Sequence, residues 1–178
     1  MMERIEIIRV TTDDLLLLQD IGRRTFLHTF SSSNTERSML KYLDEGFSAK
    51  KLHAELQNKE SQFYFAMLGE DVLGYLKLNT GRAQTELKED GGLEIERIYV
   101  LEAYHGMKVG QALYEKAIEV ATTLRSAYVW LGVWEENPQA IRFYEKNGFV
   151  AFDKHLFKLG DEEQTDIMMK KVLLPANP

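Results

Sequence analysis

Hydrophobic and polar positions alternate most cleanly from Leu93 to Val100 (LEIERIYV), where apolar side chains interleave with two glutamates and an arginine. A period of two over such a stretch predicts a strand. The loop HGMKVG, His105 to Gly110, follows after Leu101 to Tyr104. Beyond it apolar residues recur at Val109, Ala112, Leu113, Ala117, Val120 and Leu124, mostly in steps of three and four, which predicts one buried helix face. The helix yields at Arg125 and Ser126 to AYVWLGVW, Ala127 to Trp134, a run too short and too rich in β-branched and aromatic residues for another helix. The order predicts two parallel strands joined by a right-handed helical crossover, the unit around which the chain is organised.

The pattern extends to both sides of this unit. Ile5 to Val10 predicts a first strand, Thr11 to Asp14 a helix cap, and Leu15 to Phe30 a helix burying Leu15, Leu18, Phe26 and Phe30, broken at Ser31 to Asn34. Two shorter helices follow, Thr35 to Asp44 and Ser48 to Gln57, with Met39, Leu43, Leu52 and Leu56 at helical spacing. Gln62 to Leu68 and Val72 to Leu78 form a hairpin, and polar, glycine-containing Asn79 to Gly92 a mobile loop. After Trp134, Asn137 is a helix cap, Pro138 a first helical residue and Gly148 a stop, with Ala140, Ile141 and Tyr144 on one face. Phe149 to Phe152, His155 to Leu159 and Thr165 to Val172 predict closing strands around a turn at Gly160 to Gln164, and the proline-containing end from Leu173 predicts fraying. With no repeat or linker, the expectation is one domain over residues 1–174 and a frayed tail over 175–178.

Composition narrows the function classes. The 178 residues are 44% hydrophobic and 28% charged, ordinary for a soluble domain, and the formal charge of -6 argues against nucleic acid while suiting a cationic substrate. Cysteine is absent, which removes disulfides and thiolate zinc sites, and His28, His53, His105 and His155 lie too far apart for ligand spacing, so no metal is expected. No apolar run of about 20 residues and no secretory segment is present, giving the expectation of a cytoplasmic protein without a membrane partner.

The helix beginning near Gly110 turns unpaired N–H groups toward the strand ends, a setting that attracts phosphate, and Gly106 and Gly110 allow close backbone approach. The loop is neither G-x-G-x-x-G nor G-x-x-x-x-G-K-[ST], so an ordinary strand-to-helix turn stands beside a phosphate cradle. Strict alternation puts Glu94, Glu96, Ile98 and Val100 on one strand face, where two close carboxylates would raise one another's pKa and suit a general base; a salt bridge is the alternative. Tyr144 is either core or a proton donor at the crevice. Trp130 and Trp134 read as core and rim of their strand. Glu36, Asp44, Glu45 and Glu55 on the early helices are either a solvated face or part of an acidic pocket.

In this order, HGMKVG, helix, WLGVW and NPQAIRFYEKNGF resemble the GNAT acyltransferases, and Asn137, Ala140, Tyr144 and Gly148-Phe149 match that family's N-x-x-A-x-x-x-Y-x-x-x-G-F. LEIERIYV, WLGVWEENPQAIRFYEKNGF and GDEEQTD are similar to bacterial PaiA-type spermidine/spermine acetyltransferases. The resemblance implies a mixed α/β GNAT fold: a mostly antiparallel sheet with a central splayed parallel pair, flanked by helices. It implies acetyl transfer from acetyl-CoA to a small cationic amine, foremost a polyamine, in a ternary complex, by a monomer or homodimer. Ile98, Tyr99 and Val100 would run beside the pantetheine arm. The loop from His105 through Gly106, Met107, Lys108, Val109 and Gly110 to Gln111 would hold the pyrophosphate, and Asn137 the cofactor. Tyr144 would protonate the departing thiolate, and Glu94 or Glu96 would take the amine proton through water. The family loop reads Q/R-x-x-G-x-G/A, and Lys108 stands at its central glycine; an unstrained lysine adding its ammonium to the phosphates is the expectation. A peptide N-acetyltransferase, to be told apart at Thr25 to Gln57, and a non-catalytic acetyl-CoA-binding regulator are the alternatives.

Overall fold

The computed structural model describes residues 3–173. The expected frayed tail at 175–178 lies outside them. Seven strands form one sheet in the order β1-β2-β3-β4-β5-β7-β6: β1 (Glu6–Arg9), β2 (Ser61–Leu68), β3 (Asp71–Thr80), β4 (Gly92–Val100), β5 (Tyr128–Trp134), β6 (Val150–Leu159) and β7 (Glu162–Val172). Every neighbouring pair is antiparallel except β4 and β5. Helices α1 (Leu15–Phe30), α2 (Glu36–Gly46) and α3 (Ala49–Gln57) precede β2, α4 (Val109–Thr123) crosses from β4 to β5, and α5 (Pro138–Lys146) follows β5.

Three of the five helices start where the sequence supplies a side-chain cap. The Thr35, Ser48 and Asn137 side chains accept from Ser38, Lys51 and Ala140 amides respectively, fixing α2, α3 and α5. The two sheet faces carry separate cores. One joins Val109, Leu113 and Ala117 of α4 and Tyr144 of α5 to Leu93, Ile95, Val129 and Leu131. The other joins Leu18, Ile21 and Phe26 of α1, Met39 and Leu43 of α2 and Leu52 of α3 to Phe63, Phe65 and Tyr75. Leu124, expected on the buried stripe, is exposed, and Tyr114 is buried on α4 instead.

Two segments differ from expectation in ways that matter to the site. Between β3 and β4, Lys77 stands opposite Arg97 and Leu78 opposite Ile95, so Glu96 is an inserted residue, a β-bulge. The bulge reverses the alternation: Ile98 and Val100 join the α4 core with Leu93 and Ile95, while Tyr99 joins the α1–α3 core. Glu94, Glu96, Ile98 and Val100 therefore do not share a face. The loop after β3 is tied down where mobility was expected. Gln84 is buried and accepts a 2.7 Å hydrogen bond from Trp130 Nε1, Thr85 binds Glu94, and the Glu60 carboxylate accepts from the amides of Arg82 and Ala83. The two closing strands expected over 149–159 are one, β6, with an irregularity between Ala151 and Asp153.

Candidate active site

The parallel β4–β5 ladder holds for only three pairs, ending at Glu94 with Trp130. Beyond it a cleft of about 750 Å³ opens between the strands. The Leu101 amide donates to Leu73 O on β3 at 2.9 Å, so by antiparallel alternation the amides of Ile98 and Val100 turn away from β3, toward the cleft. They form a free strand edge facing the gap.

At the far end of β4 the chain enters the loop before α4. Gly106 has φ +82°, and a Cβ there would meet nothing within 4 Å, so the loop borders open space. Lys108, at the cap of α4, has φ +61° and ψ 23°. This left-handed backbone, which glycine adopts without strain, corrects the expectation of an unstrained lysine and costs about 1 kcal/mol. His105, Gly106, Lys108, Gly110 and Gln111 line the cleft, as do Ile98, Tyr99 and Val100. Met107 is exposed and Val109 buried in the α4 core, and neither lines it. The His105 Nε2 lies 2.8 Å from Val100 O; a carbonyl only accepts, so Nε2 carries the proton.

From the β5 side α5 brings Asn137 and Tyr144 to the same cleft. Asn137 Oδ1 accepts from the Ala140 amide at 3.2 Å, leaving its NH2 group uncommitted to the cap. Tyr144 is 7% exposed, and burial raises its hydroxyl pKa, so at neutral pH it stays a protonated donor.

The two candidate carboxylates have separate environments. Glu96 lines the cleft; Glu94 does not. Glu94 is buried and accepts from Asn79 Nδ2 at 3.0 Å, Thr85 N at 2.9 Å and Thr85 Oγ1 at 2.6 Å, which fastens the β3–β4 loop to the sheet. Burial raises its pKa, opposed by those hydrogen bonds, with the charge of Glu96 a smaller contribution in the same direction. Glu96 behaves otherwise. Burial pushes it up, but Arg97 and Lys77 outweigh that and its pKa is lowered. The expectation that the pair would raise one another thus fails at Glu96. Lys77 Nζ contacts Glu96 and lies 2.6 Å from Glu55 Oε1, and Arg97, stacked 4.9 Å over the Phe47 ring, completes a buried group of two cations and two anions. Glu55 is the one early-helix acid drawn inward; Glu36, Asp44 and Glu45 are exposed.

Sequence reasoning passed over several lining residues. Lys146 and Asn147, at the end of α5, join His105 and Lys108 in a cationic and polar half. Thr29 and Phe30 of α1, with Gly132 and Trp134 of β5, wall the half that holds Glu96. The helical step from Tyr144 and the position of Trp134 beyond the last parallel pair were the available signals.

Residues 23–149 match the acetyltransferase (GNAT) family. The chain belongs to this family. It is 39% identical to an N-acetyltransferase of the pepI 3' region of Lactobacillus delbrueckii subsp. lactis, over 97% of this chain and 100% of that one. It is 25% identical to a spermidine N(1)-acetyltransferase of Thermoplasma acidophilum, over 94% of this chain and 96% of that one. In fold it is similar to the PaiA N-acetyltransferase of T. acidophilum solved with coenzyme A, with a TM-score of 0.79, 23% identity and coverage of 96% and 99%. It is likewise similar to the ribosomal-protein-S18-alanine N-acetyltransferase of Escherichia coli, with a TM-score of 0.73, 18% identity and coverage of 98% and 97%. This GNAT chain is thus an acetyl-CoA-dependent N-acetyltransferase. Two observations fit the cosubstrate: the free amide edge of β4 and the curled, cation-flanked loop at the start of α4.

Proposed function

We propose that this GNAT enzyme acetylates a primary amine of a small polycation, with spermidine as the representative acceptor. The supporting observation is the polarity of the cleft. His105, Lys108 and Lys146 line one half, suited to a diphosphate, and an ionised Glu96 with Phe30, Tyr99 and Trp134 lines the other, suited to an ammonium on an aliphatic chain. The formal charge of -6 and the name of the spermidine-acetylating relative point the same way.

Acetyl-CoA brings an activated acetyl thioester. The amides of Gly106 to Gln111 and the Lys108 and Lys146 ammonium groups would hold its diphosphate, and those of Ile98 and Val100 its pantetheine arm. Positioning along β4 then supplies much of the acceleration, because two reactants held in line react as one. The Val100 amide donates toward the oxygen on which negative charge develops. An alkylammonium has a pKa of about 10.4, so a proton must leave the acceptor before attack. Glu96 attracts the charged amine and accepts that proton through water. Its lowered pKa makes it a modest base, so the arrangement favours delivery of the already neutral fraction of the amine. Tyr144 keeps a proton on its oxygen for the departing sulfur.

Comparing acetylation of spermidine, a simple monoamine and a peptide N-terminus under one set of conditions tests the acceptor. A clear preference in kcat/KM for spermidine is expected; equal rates, or preference for the peptide, would overturn the polycation reading.

A further inference from the structure

On β5 the side chains of Trp130 and Trp134 fall on the α1–α3 side of the sheet, and the position between them is Gly132. Gly132 is exposed and lines the cleft together with Glu96, Phe30 and Trp134. A missing side chain here opens the acceptor wall. The group standing over the opening is the carboxylate of Asp166 on β7: a Cβ at Gly132 would lie 3.4 Å from Asp166 Oδ2.

Register places the parts. Glu94 is level with Trp130 in the last pair of the parallel ladder, Glu96 follows where the two strands part, and Trp134 stands opposite Asp166. The two carboxylates come from the strands on either side of β5: Glu96 lines the cleft from β4, and Asp166, which does not line it, borders Gly132 from β7. The Trp134 and Phe30 rings, 5.3 Å centroid to centroid, line the same cleft as Glu96 and Gly132, an apolar wall that an aliphatic chain can cover. The backbone of Asp166 is paired with β5 and β6, but its carboxylate makes no side-chain hydrogen bond or ion pair with the described residues. Facing it from β6 is His155, which lies 3.3 Å from Glu86, and from α2 the Tyr42 hydroxyl, whose pKa the Asp166 charge helps to raise. Burial pushes Asp166 up to about 6, opposed by His155. A half-buried carboxylate without a partner is costly to keep charged, and a cation seated beside it would offset that cost.

We propose that Asp166, reached across the Gly132 opening, binds a second ammonium of the acceptor while the reacting nitrogen faces Glu96, so that it discriminates diamines and longer polyamines from monoamines. This rests on the amine-acetylating reading above and assigns its specificity to one residue. Asp166 does not touch the reacting atoms, so its effect is on acceptor choice.

The test is the ratio of kcat/KM for 1,4-diaminobutane or spermidine to that for butylamine, measured in the wild type, Asp166→Asn and Gly132→Ala. The ratio is expected to fall about tenfold or more in Asp166→Asn, mostly through KM for the polycation, and to fall in Gly132→Ala, whose methyl group narrows the opening. A thermal melt of each variant checks that the fold persists, and Asp166→Glu, which keeps the charge, is expected to recover part of the ratio. A ratio unchanged within twofold in a folded Asp166→Asn protein that still acetylates spermidine would overturn the assignment while leaving the amine-acetylating reading intact. A wild type that acetylates none of the three amines would overturn both.

Discussion

Tyr144, Glu96 and Lys108 are the side chains to which the proposed function gives the chemistry, and each makes a separate prediction. Tyr144→Phe removes a buried, protonated hydroxyl from the cleft without altering the ring packing, and is expected to lower kcat by about 10²-fold with the KM for acceptor little changed. Steady-state kinetics over both substrates checks this. Glu96 has a folded pKa depressed below the ordinary value of about 4.3, so it stays ionised at and above that value. The sign follows: its contribution to stability is present above the unfolded pKa and lost as pH falls through the lowered folded one. No acid limb from Glu96 is expected between about pH 5 and 9, where kcat/KM for the amine should climb toward the ammonium pKa of about 10.4. Measuring kcat/KM against pH tests both statements, and a break near pH 6 to 7 for a monoamine would assign the base elsewhere. Lys108→Gly relieves a left-handed lysine, so unfolding should become more costly by up to about 1 kcal/mol, while acetyl-CoA affinity falls and loses part of its salt dependence. Denaturant melts and calorimetry separate the two effects.

At the scale of elements, α5 and the β4 bulge decide which residues reach the cleft. Asn137 both caps α5 and lines the site, so Asn137→Ala is expected to cost about 1 kcal/mol of stability and to weaken cosubstrate binding, as melts and calorimetry would show. That cap, the crossover helix and the splayed strand pair were legible because they rest on local pattern: a polar residue before proline, a stripe of period 3.6, an apolar run between Ser126 and Glu135. The bulge was not. Alternation in LEIERIYV continues through the inserted Glu96, so nothing in the pattern marks where the faces exchange; only the register against Lys77 and Leu78 does. The ion group of Glu55, Lys77, Glu96 and Arg97 was equally hidden, because its members come from α3, β3 and β4 and meet only through the fold. The loop before β4 looked mobile by its glycines and polar residues, yet those polar groups are what fasten it to Glu94, Trp130 and Glu60.

Over the whole molecule, an acidic chain carries a locally cationic mouth. The formal charge of -6 would repel a diphosphate at long range, while on the proposed reading the Lys108 and Lys146 ammonium groups lining the cleft would attract it at short range. No helix among the described residues is long and apolar enough to cross a membrane. The family was legible from N-x-x-A-x-x-x-Y and its following G-F, because cap, tyrosine and stop all serve one short helix; the subsite proposed for acceptor choice was not, because Gly132 and Asp166 sit on different strands and announce nothing in sequence. The central claim, that the amides of β4 and of the loop before α4 receive acetyl-CoA, is tested most directly by amide hydrogen exchange with and without the cosubstrate. Protection should appear at Ile98, Val100 and Gly106 to Gln111. Binding that protected other amides and left these exchanging freely would contradict the account.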